Sequence, residues 1–356
     1  MTSMTQAPVR VTGGVDTHLD THHGAALDQL GQVLGTRAFP VSRRGFADLL
    51  GWLAGFGEID RVGVEGTGSY GATLTRFLTD RGVSVVEVDR PNRKDRRQHG
   101  KSDPIDAVNA ARAVQAGTAA GTPKLRTGPV EAIRVLRVER TSAVKARAAA
   151  SQQLGALLVS APLELSEALL SLSSRERVAR CARMRVAHTG VLTDPNLALK
   201  TALRRLARRI QTLDTEIAAV DADLNTLVAA VAPTTIARFG VGTDVAGQLL
   251  VTAGDNPDRL RNDAAFARLC GVAPIPASSG RTDRHRLHRG GDRQANRALY
   301  MATIVRLGRH QATRDYMTRR RQQGLTKLEI IRCLKRYLAR ETLTAIRTDL
   351  AALDSI

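Results

Sequence analysis

The sequence predicts an α/β domain at the N-terminus, a long heptad helix as connector, and a mainly helical C-terminal part. Three observations carry this reading. Short β-type runs alternate with amphipathic helical stretches from residue 13 to 88, the pattern of a sheet covered by helices. Between Leu199 and Val231, apolar residues recur at alternating steps of four and three, which is an a/d seam. Residues 281–340 then combine helical spacing with a high density of arginine.

In order along the chain, Gly14 to Leu19 and Gly24 to Leu27 read as strands, followed by a turn at Asp28 to Gly31 and a third strand from Gln32 to Phe39. Ser42 is placed to N-cap a helix running to Ala54, with Phe46, Leu49, Leu50 and Leu53 on one face. Arg61 to Glu65 is a buried strand that enters the glycine-rich turn Gly66 to Gly71. A helix to Asp80 and a strand from Val83 to Val88 follow, and Ser102 or Asp103 opens an alanine-rich helix through Ala116. Gly117 to Pro129 reads as a linker. A long helix is expected from Val130 to Leu158, and the heptad helix ends at Pro233. The turn Gly240-Val-Gly242 opens a helix in the manner of a helix-hairpin-helix, whose backbone N–H groups suit a phosphate. A helix over Asp263 to Cys270, a loop from Gly271 to Gly280 and two arginine-rich helices complete the chain. The expected domains are therefore 1–117, 118–234 and 235–356, each of ordinary domain size.

Charge narrows the function. The chain has 356 residues and a net charge of +19. Arg90 to Lys101 contributes +5 and Arg281 to Arg340 contributes +13, so the rest is almost neutral. Two focused basic segments are expected to bind phosphates, and the dominance of arginine in the second favours nucleic acid over a membrane surface. With only six Phe, four Tyr and one Trp, base stacking is not the main binding mode. Cys181, Cys270 and Cys333 show no CxxC spacing, which argues against a disulfide framework or zinc knuckle and for a reducing cytoplasm. No run approaches the ~18 consecutive apolar residues of a membrane span. The sustained a/d seam predicts a coiled coil, pairing with the earlier long helix or between subunits of an oligomer.

Four acids stand at informative places. Asp16 lies within the first strand, Glu65 ends a later strand, and Asp103 with Asp106 occupies the first turn of a helix at i and i+3, hence on one face. An acid in a strand interior is costly to bury unpaired, and clustered carboxylates call for cations. Two Mg²⁺ ions about 4 Å apart are one such solution, suited to in-line phosphodiester chemistry. Taken singly, Asp103 is equally a helix N-cap acid, and Asp16 equally a phosphate-loop acid of an actin-like sugar kinase. His18, His22 and His23 are expected to be surface polar residues, since strand alternation and the turn argue against a shared metal site. Ser278-Ser279-Gly280 alone reads as turn chemistry.

Together, Gly14-Val-Asp16-Thr-His18, Gly63-Val-Glu65-Gly-Thr-Gly-Ser-Tyr70 and Lys101-Ser-Asp103-Pro-Ile-Asp106-Ala107 resemble the motifs of the DEDD transposases. This insertion-sequence family includes Piv-type DNA invertases and recombinases guided by bridge RNA. The C-terminal segments Cys270-Gly-Val-Ala-Pro274, Ser278-Ser-Gly280 and Arg289-Gly-Gly-Asp-Arg-Gln-Ala-Asn296 resemble its transposase-specific domain. The resemblance implies an RNase-H-like fold akin to the resolvase RuvC, and a Mg²⁺ site at Asp16, Glu65, Asp103 and Asp106. It also implies a serine that links covalently to DNA, matched by position to Ser279 with Ser278 as the competing choice. The implied partners are donor and target DNA, a structured noncoding guide RNA, and further copies of the chain as a dimer or tetramer. Arg93, Lys94, Arg96, Arg97 and Lys101 would hold nucleic acid near the metals. Arg281, Arg284, Arg286, Arg289 and Arg293 would grip DNA beside the serine. The alternatives are an RNA-independent invertase, a metal-only junction resolvase, or a non-catalytic nucleic-acid-binding oligomer.

Overall fold

The computed structural model describes residues 9–88, 102–186, 193–256, 259–280 and 285–353. The chain packs into two compact units, Met1–Arg126 with Gly254–Arg261, and Thr127–Ala253 with Asn262–Ile356. These units cut the chain differently from the three segments the sequence suggests. Helices of the connector and of the C-terminal part share one packing, and a short later segment returns to the first unit.

In the first unit, β1 (Arg10–Thr17), β2 (Thr21–Leu27) and β3 (Val33–Pro40) form an antiparallel meander. Helix α1 (Arg43–Ala54) leads to β4 (Glu58–Glu65), which pairs parallel to β1. Helix α2 (Ala72–Thr79) leads to β5 (Val85–Val88), parallel to β4. The sheet order is β3-β2-β1-β4-β5, so β1 is central and buried from Val11 onward. As predicted, Ser42 caps α1, its Oγ accepting from Gly45 N at 3.0 Å. Phe46, Leu49 and Leu53 of α1, with Leu74 and Leu78 of α2, pack on Val11, Val15, Val62 and Val64 of the sheet. Each such fully buried side chain contributes roughly 1.5–3 kcal/mol.

The opposite face is covered by α3 (Asp103–Gln115) through Ala107, Ala110, Ala111 and Val114. Glycine makes this approach possible. A Cβ on Gly14 of β1 would collide with the backbone of Ala107 and Ala111, and one on Gly63 of β4 would lie 2.6 Å from Val114 Cγ2 and 2.9 Å from the Ala110 carbonyl. Small residues on both surfaces bring the helix close to the sheet, with its N-terminal acids at the ends of β1 and β4.

The second unit is helical. Helix α4 (Gly128–Val159) runs antiparallel to the long heptad helix, separated from it in the chain by α5 (Leu163–Leu170) and α6 (Ser174–Ala182), the latter opened by a Ser173–Glu176 capping box. Neither short helix is among the elements the sequence pattern predicts. The heptad helix is α7 (Pro195–Val231), tied to α4 by Arg140–Asp221 and Arg147–Asp214 ion pairs. Of the expected seam, Leu203, Ile210, Val220, Leu224 and Val231 are buried, while Leu213 and Ile217 are half-buried and Ala207 and Val228 are buried beside it. A helix with 3.6 residues per turn drifts from a seven-residue repeat, and that drift moves the buried face from one seam position to its neighbour.

After α8 (Pro233–Ile236) come α9 (Thr243–Ala253) and α10 (Asp263–Leu269). The hairpin β6 (Pro274–Pro276) and β7 (His285–Leu287) then precedes α11 (Arg293–Arg309), α12 (Gln311–Gln322) and α13 (Lys327–Leu353). Three helices thus stand where two are expected, because the extended backbone of His310, at φ −109° and ψ 112°, separates α11 from α12. The helix before the Gly240 turn is a single turn long, and Asp244 after it pairs with Arg137 of α4 at 2.8 Å. The start of α9 stays open to solvent at Gly242 and Asp244. On α13, buried Asp349 accepts from Thr234 N, Thr235 N and Thr235 Oγ1 at 2.7–2.8 Å, capping α8. No described helix is long and apolar enough to cross a membrane.

Candidate active site

The pleat places Asp16 and Glu65 on the sheet face that α3 covers. Gly14 and Gly63 face α3, so with a period of two, Asp16 and Glu65 face the same side. Val15 pairs with Val64, which makes Asp16 and Glu65 the next residues on adjacent parallel strands. Thr17 Oγ1 donates to the Glu65 carbonyl at 2.8 Å and fixes that end of β4. Above them, Asp103 and Asp106 occupy the first turn of α3, with Asp106 buried and Asp103 partly exposed.

His18 completes the cluster, correcting the expectation of a plain surface residue. Its Nε2 lies 3.1 Å from Asp16 Oδ2, donating when protonated there, and 3.4 Å from Asp103 Oδ1. Asp16, His18 and Asp103 each offer a ligand atom, all within 4.8 Å of one another. His23 pairs with Asp16 across the β1–β2 ladder and brings Nε2 to 3.7 Å from Asp103 Oδ2. The tight β1–β2 hairpin does this: it returns His23 opposite Asp16, a register that strand alternation alone does not reveal. His22, one residue earlier and hence on the other face, is fully buried and stacked on Phe46 with ring centroids 5.6 Å apart. Burial, foremost, lowers the His22 pKa to about 4, so it is neutral at pH 7.

The donor set suits a divalent cation. Burial, above all, raises the Asp16 carboxyl above its ordinary range, and the charges of Asp106 and Asp103 add to this against the opposing effect of His18. A desolvated carboxylate facing two others and an imidazole is in an unfavourable field that a cation between them relieves. Oxygen donors suit hard cations, and an imidazole extends the set to transition metals.

Ser278 and Ser279 lie in the second unit, both exposed on the loop that leaves β6, before Gly280 at φ +56°. The hairpin beneath them is held by three residue pairs, Pro274–Leu287, Ile275–Arg286 and Pro276–His285. Arg286, Arg289 and Arg293 are exposed on and after β7, with Arg289 and Arg293 lining a cavity of about 450 Å³ beside Gly291 and Asn296. Arg93, Lys94, Arg96, Arg97 and Lys101, and likewise Arg281 and Arg284, lie outside the described residues.

Comparison with known proteins meets this geometry from two sides. A transposase family model of the DEDD IS110 type matches residues 13–161, which contain all four acids, and the transposase IS116/IS110/IS902 family model matches residues 237–318, which contain both serines. The chain is 33% identical over 135 residues to an uncharacterized 43.6 kDa protein of insertion element IS110 from Streptomyces coelicolor, covering 37% of this chain and 33% of that one. It is 27% identical over 139 residues to an uncharacterized 42 kDa protein of insertion element IS900 from Mycobacterium paratuberculosis, covering 38% of this chain and 35% of that one. The matched stretch thus spans about a third of the length of either relative. With one family model over the acid cluster and another over the serine loop, the chain belongs to the DEDD-type insertion-sequence transposases of the IS110/IS116/IS902 family.

Proposed function

We propose that this protein is a DNA transposase that cleaves and rejoins strands with a Mg²⁺-binding carboxylate cluster on an RNase-H-like domain and Ser279 as nucleophile. The observation that carries the reading is the convergence of Asp16, His18 and Asp103 within 4.8 Å where the central strand meets the start of α3. The sheet order β3-β2-β1-β4-β5, three strands antiparallel and two added parallel, supports the RNase-H-like assignment. Asp16, Glu65, Asp103 and Asp106 would hold one or two ions. When bound, such ions supply Lewis acidity at a scissile phosphate and ease deprotonation of the attacking hydroxyl. His18 Nε2, beside Asp16 and Asp103, would add a nitrogen donor to that set.

Ser279 Oγ attacks phosphorus, a P–O bond of the strand breaks, and the serine proton ends on the departing strand's hydroxyl. The resulting phosphoserine ester conserves the phosphodiester for rejoining without ATP. Its exposure, and the guanidinium groups of Arg286, Arg289 and Arg293 nearby in sequence, support this role. Donor and target DNA are the substrates. A structured guide RNA is the further partner, supported by the excess of +18 in two basic segments. Half-buried Leu213 and Ile217 on α7 support assembly of a dimer or tetramer through the long helices. The free cysteines Cys181, Cys270 and Cys333 support work in the bacterial cytoplasm.

The test is formation of the recombined junction in cells carrying the element with its flanking noncoding DNA. Wild type is expected to form it, and Asp16→Ala and Ser279→Ala to abolish it while each still binds DNA. An undiminished junction with Ser279→Ala removes that serine and turns attention to Ser278→Ala or to a metal-only resolvase. Loss of function on RNase treatment of the purified complex separates the guided from the unguided reading.

A further inference from the structure

We propose that Arg259 is a positioning residue for Glu65, acting through Glu87 and Thr67 from a segment nearly two hundred residues further along the chain. This rests on the metal reading of Glu65 above. Glu65 ends β4 and is followed by a glycine turn, with Gly66 at φ +69° and both Ser69 N and Gly71 N bonded to the Gly66 carbonyl at 2.8 and 3.1 Å. A turn so short in side chains has little packing of its own to hold it. Buried Thr67 supplies the anchor, its Oγ1 donating to Glu87 Oε1 at 2.6 Å.

Glu87 is the β5 residue paired with Val64, so its backbone is already fixed beside β4. Its second carboxylate oxygen accepts from Arg259 Nη2 at 3.2 Å, where the Arg259 side chain is 9% exposed. Arg259 in turn donates from Nε to the Thr122 carbonyl at 3.0 Å, and Asn256 Nδ2 donates to the Pro123 carbonyl at 2.8 Å. A second cation holds the same turn. Arg126 donates from Nη2 to the Gly68 carbonyl at 2.6 Å and from its backbone N to Asp255 Oδ1 at 3.3 Å. Among the described residues it is the non-glycine residue with positive φ, at +55°, a conformation that costs a side-chain-bearing residue about 1–2 kcal/mol. Asp255, through Arg126, and Arg259, through Glu87, therefore clamp the turn carrying Glu65, and a charge-assisted chain passes their position to the acid cluster.

The test is Mn²⁺ titration of the full-length protein by electron paramagnetic resonance, with hydrogen exchange of residues 66–71 read on the same samples. Arg259→Ala is expected to weaken Mn²⁺ binding several-fold, near the lower edge of the ~10–100-fold effect of outer-shell partners, and to speed exchange in the turn. Arg259→Lys, which keeps the charge on Glu87, is expected to restore much of the affinity. Thr67→Val should act like Arg259→Ala, and the double variant should lose no more than either, because the two sit in series. Additive losses, or unchanged affinity and exchange in Arg259→Ala, overturn the proposal. A wild-type protein that binds no Mn²⁺ overturns the metal reading and with it the role given to Arg259, while exchange in the turn separately reports whether the clamp exists.

Discussion

Two buried aspartates, one in each unit, show how differently the same side chain is used. Asp349 on α13 is 3% exposed and receives three hydrogen bonds from Thr234 and Thr235. Asp16 on β1 is 6% exposed and faces an imidazole, Asp103 and Asp106. The first caps the start of α8, and its carboxylate is satisfied by donors. The second sits among its own kind, an arrangement that costs stability and makes sense once a cation is bound. Burial by itself therefore does not mark a functional acid; the sign of its neighbours does.

The sharpest way to break this comparison is to neutralise each acid in turn. Asp16→Asn is expected to weaken Mn²⁺ binding by more than the ~100-fold upper figure for outer-shell partners, without lowering the unfolding midpoint in urea. Asp349→Ala should do the reverse. Leaving buried donors at Thr234 and Thr235 unsatisfied costs about 1–3 kcal/mol per group, with Mn²⁺ affinity unchanged. If Asp16→Asn destabilises as much as Asp349→Ala, the cluster is structural and the contrast fails.

A change that touches no acid sharpens the same point. Gly14→Val would drive a side chain into the backbone of Ala107 and Ala111, and overpacking of this kind costs about 1–3 kcal/mol. Because α3 carries Asp103 and Asp106, Mn²⁺ affinity should fall with stability. Gly280→Ala on the serine loop, where a Cβ meets no atom of the described residues within 4 Å, should leave Mn²⁺ binding untouched. Loss of metal binding in both, or in neither, removes the glycine contact from the account.

His22 gives a smaller, pH-dependent effect on the opposite face of the sheet. Its folded pKa of about 4 lies below the ordinary 6.5, so between those values the unfolded chain binds more protons and stability rises with pH. This contribution is intact above pH 6.5 and lost as pH falls toward 4, by an amount on the order of 2–3 kcal/mol. His22→Leu should flatten that part of the stability profile, measured by urea unfolding across the range. An unchanged slope would show that His22 is not the group responsible.

Much of the fold is legible in local pattern. The strands around Asp16 and Glu65, the Ser42 cap and the α7 repeat follow from it, because each residue type there acts over a few neighbours. The helices α5 and α6 and the hairpin β6–β7 leave no such mark, since they are short and their apolar positions find partners only on α4 and α7 or across three register pairs. The histidines depart from the sequence expectation for a related reason. Alternation correctly separates His22 from His23, but the β1–β2 register decides that His23 lies opposite Asp16, and that register is a property of the hairpin.

What the sequence by itself determined is the set of chemical types and their local setting: an acid within the first strand, others at the end of a later strand and in the first turn of a helix, and arginines gathered in two segments. These are short-range facts, written in composition, period and turn chemistry. Only the tertiary structure decided which face of β1 the acids share, that His18 joins them, and that Glu87 and Arg259, 172 residues apart, meet behind the turn carrying Glu65. Contacts of that separation depend on how whole elements pack, and no local pattern encodes them.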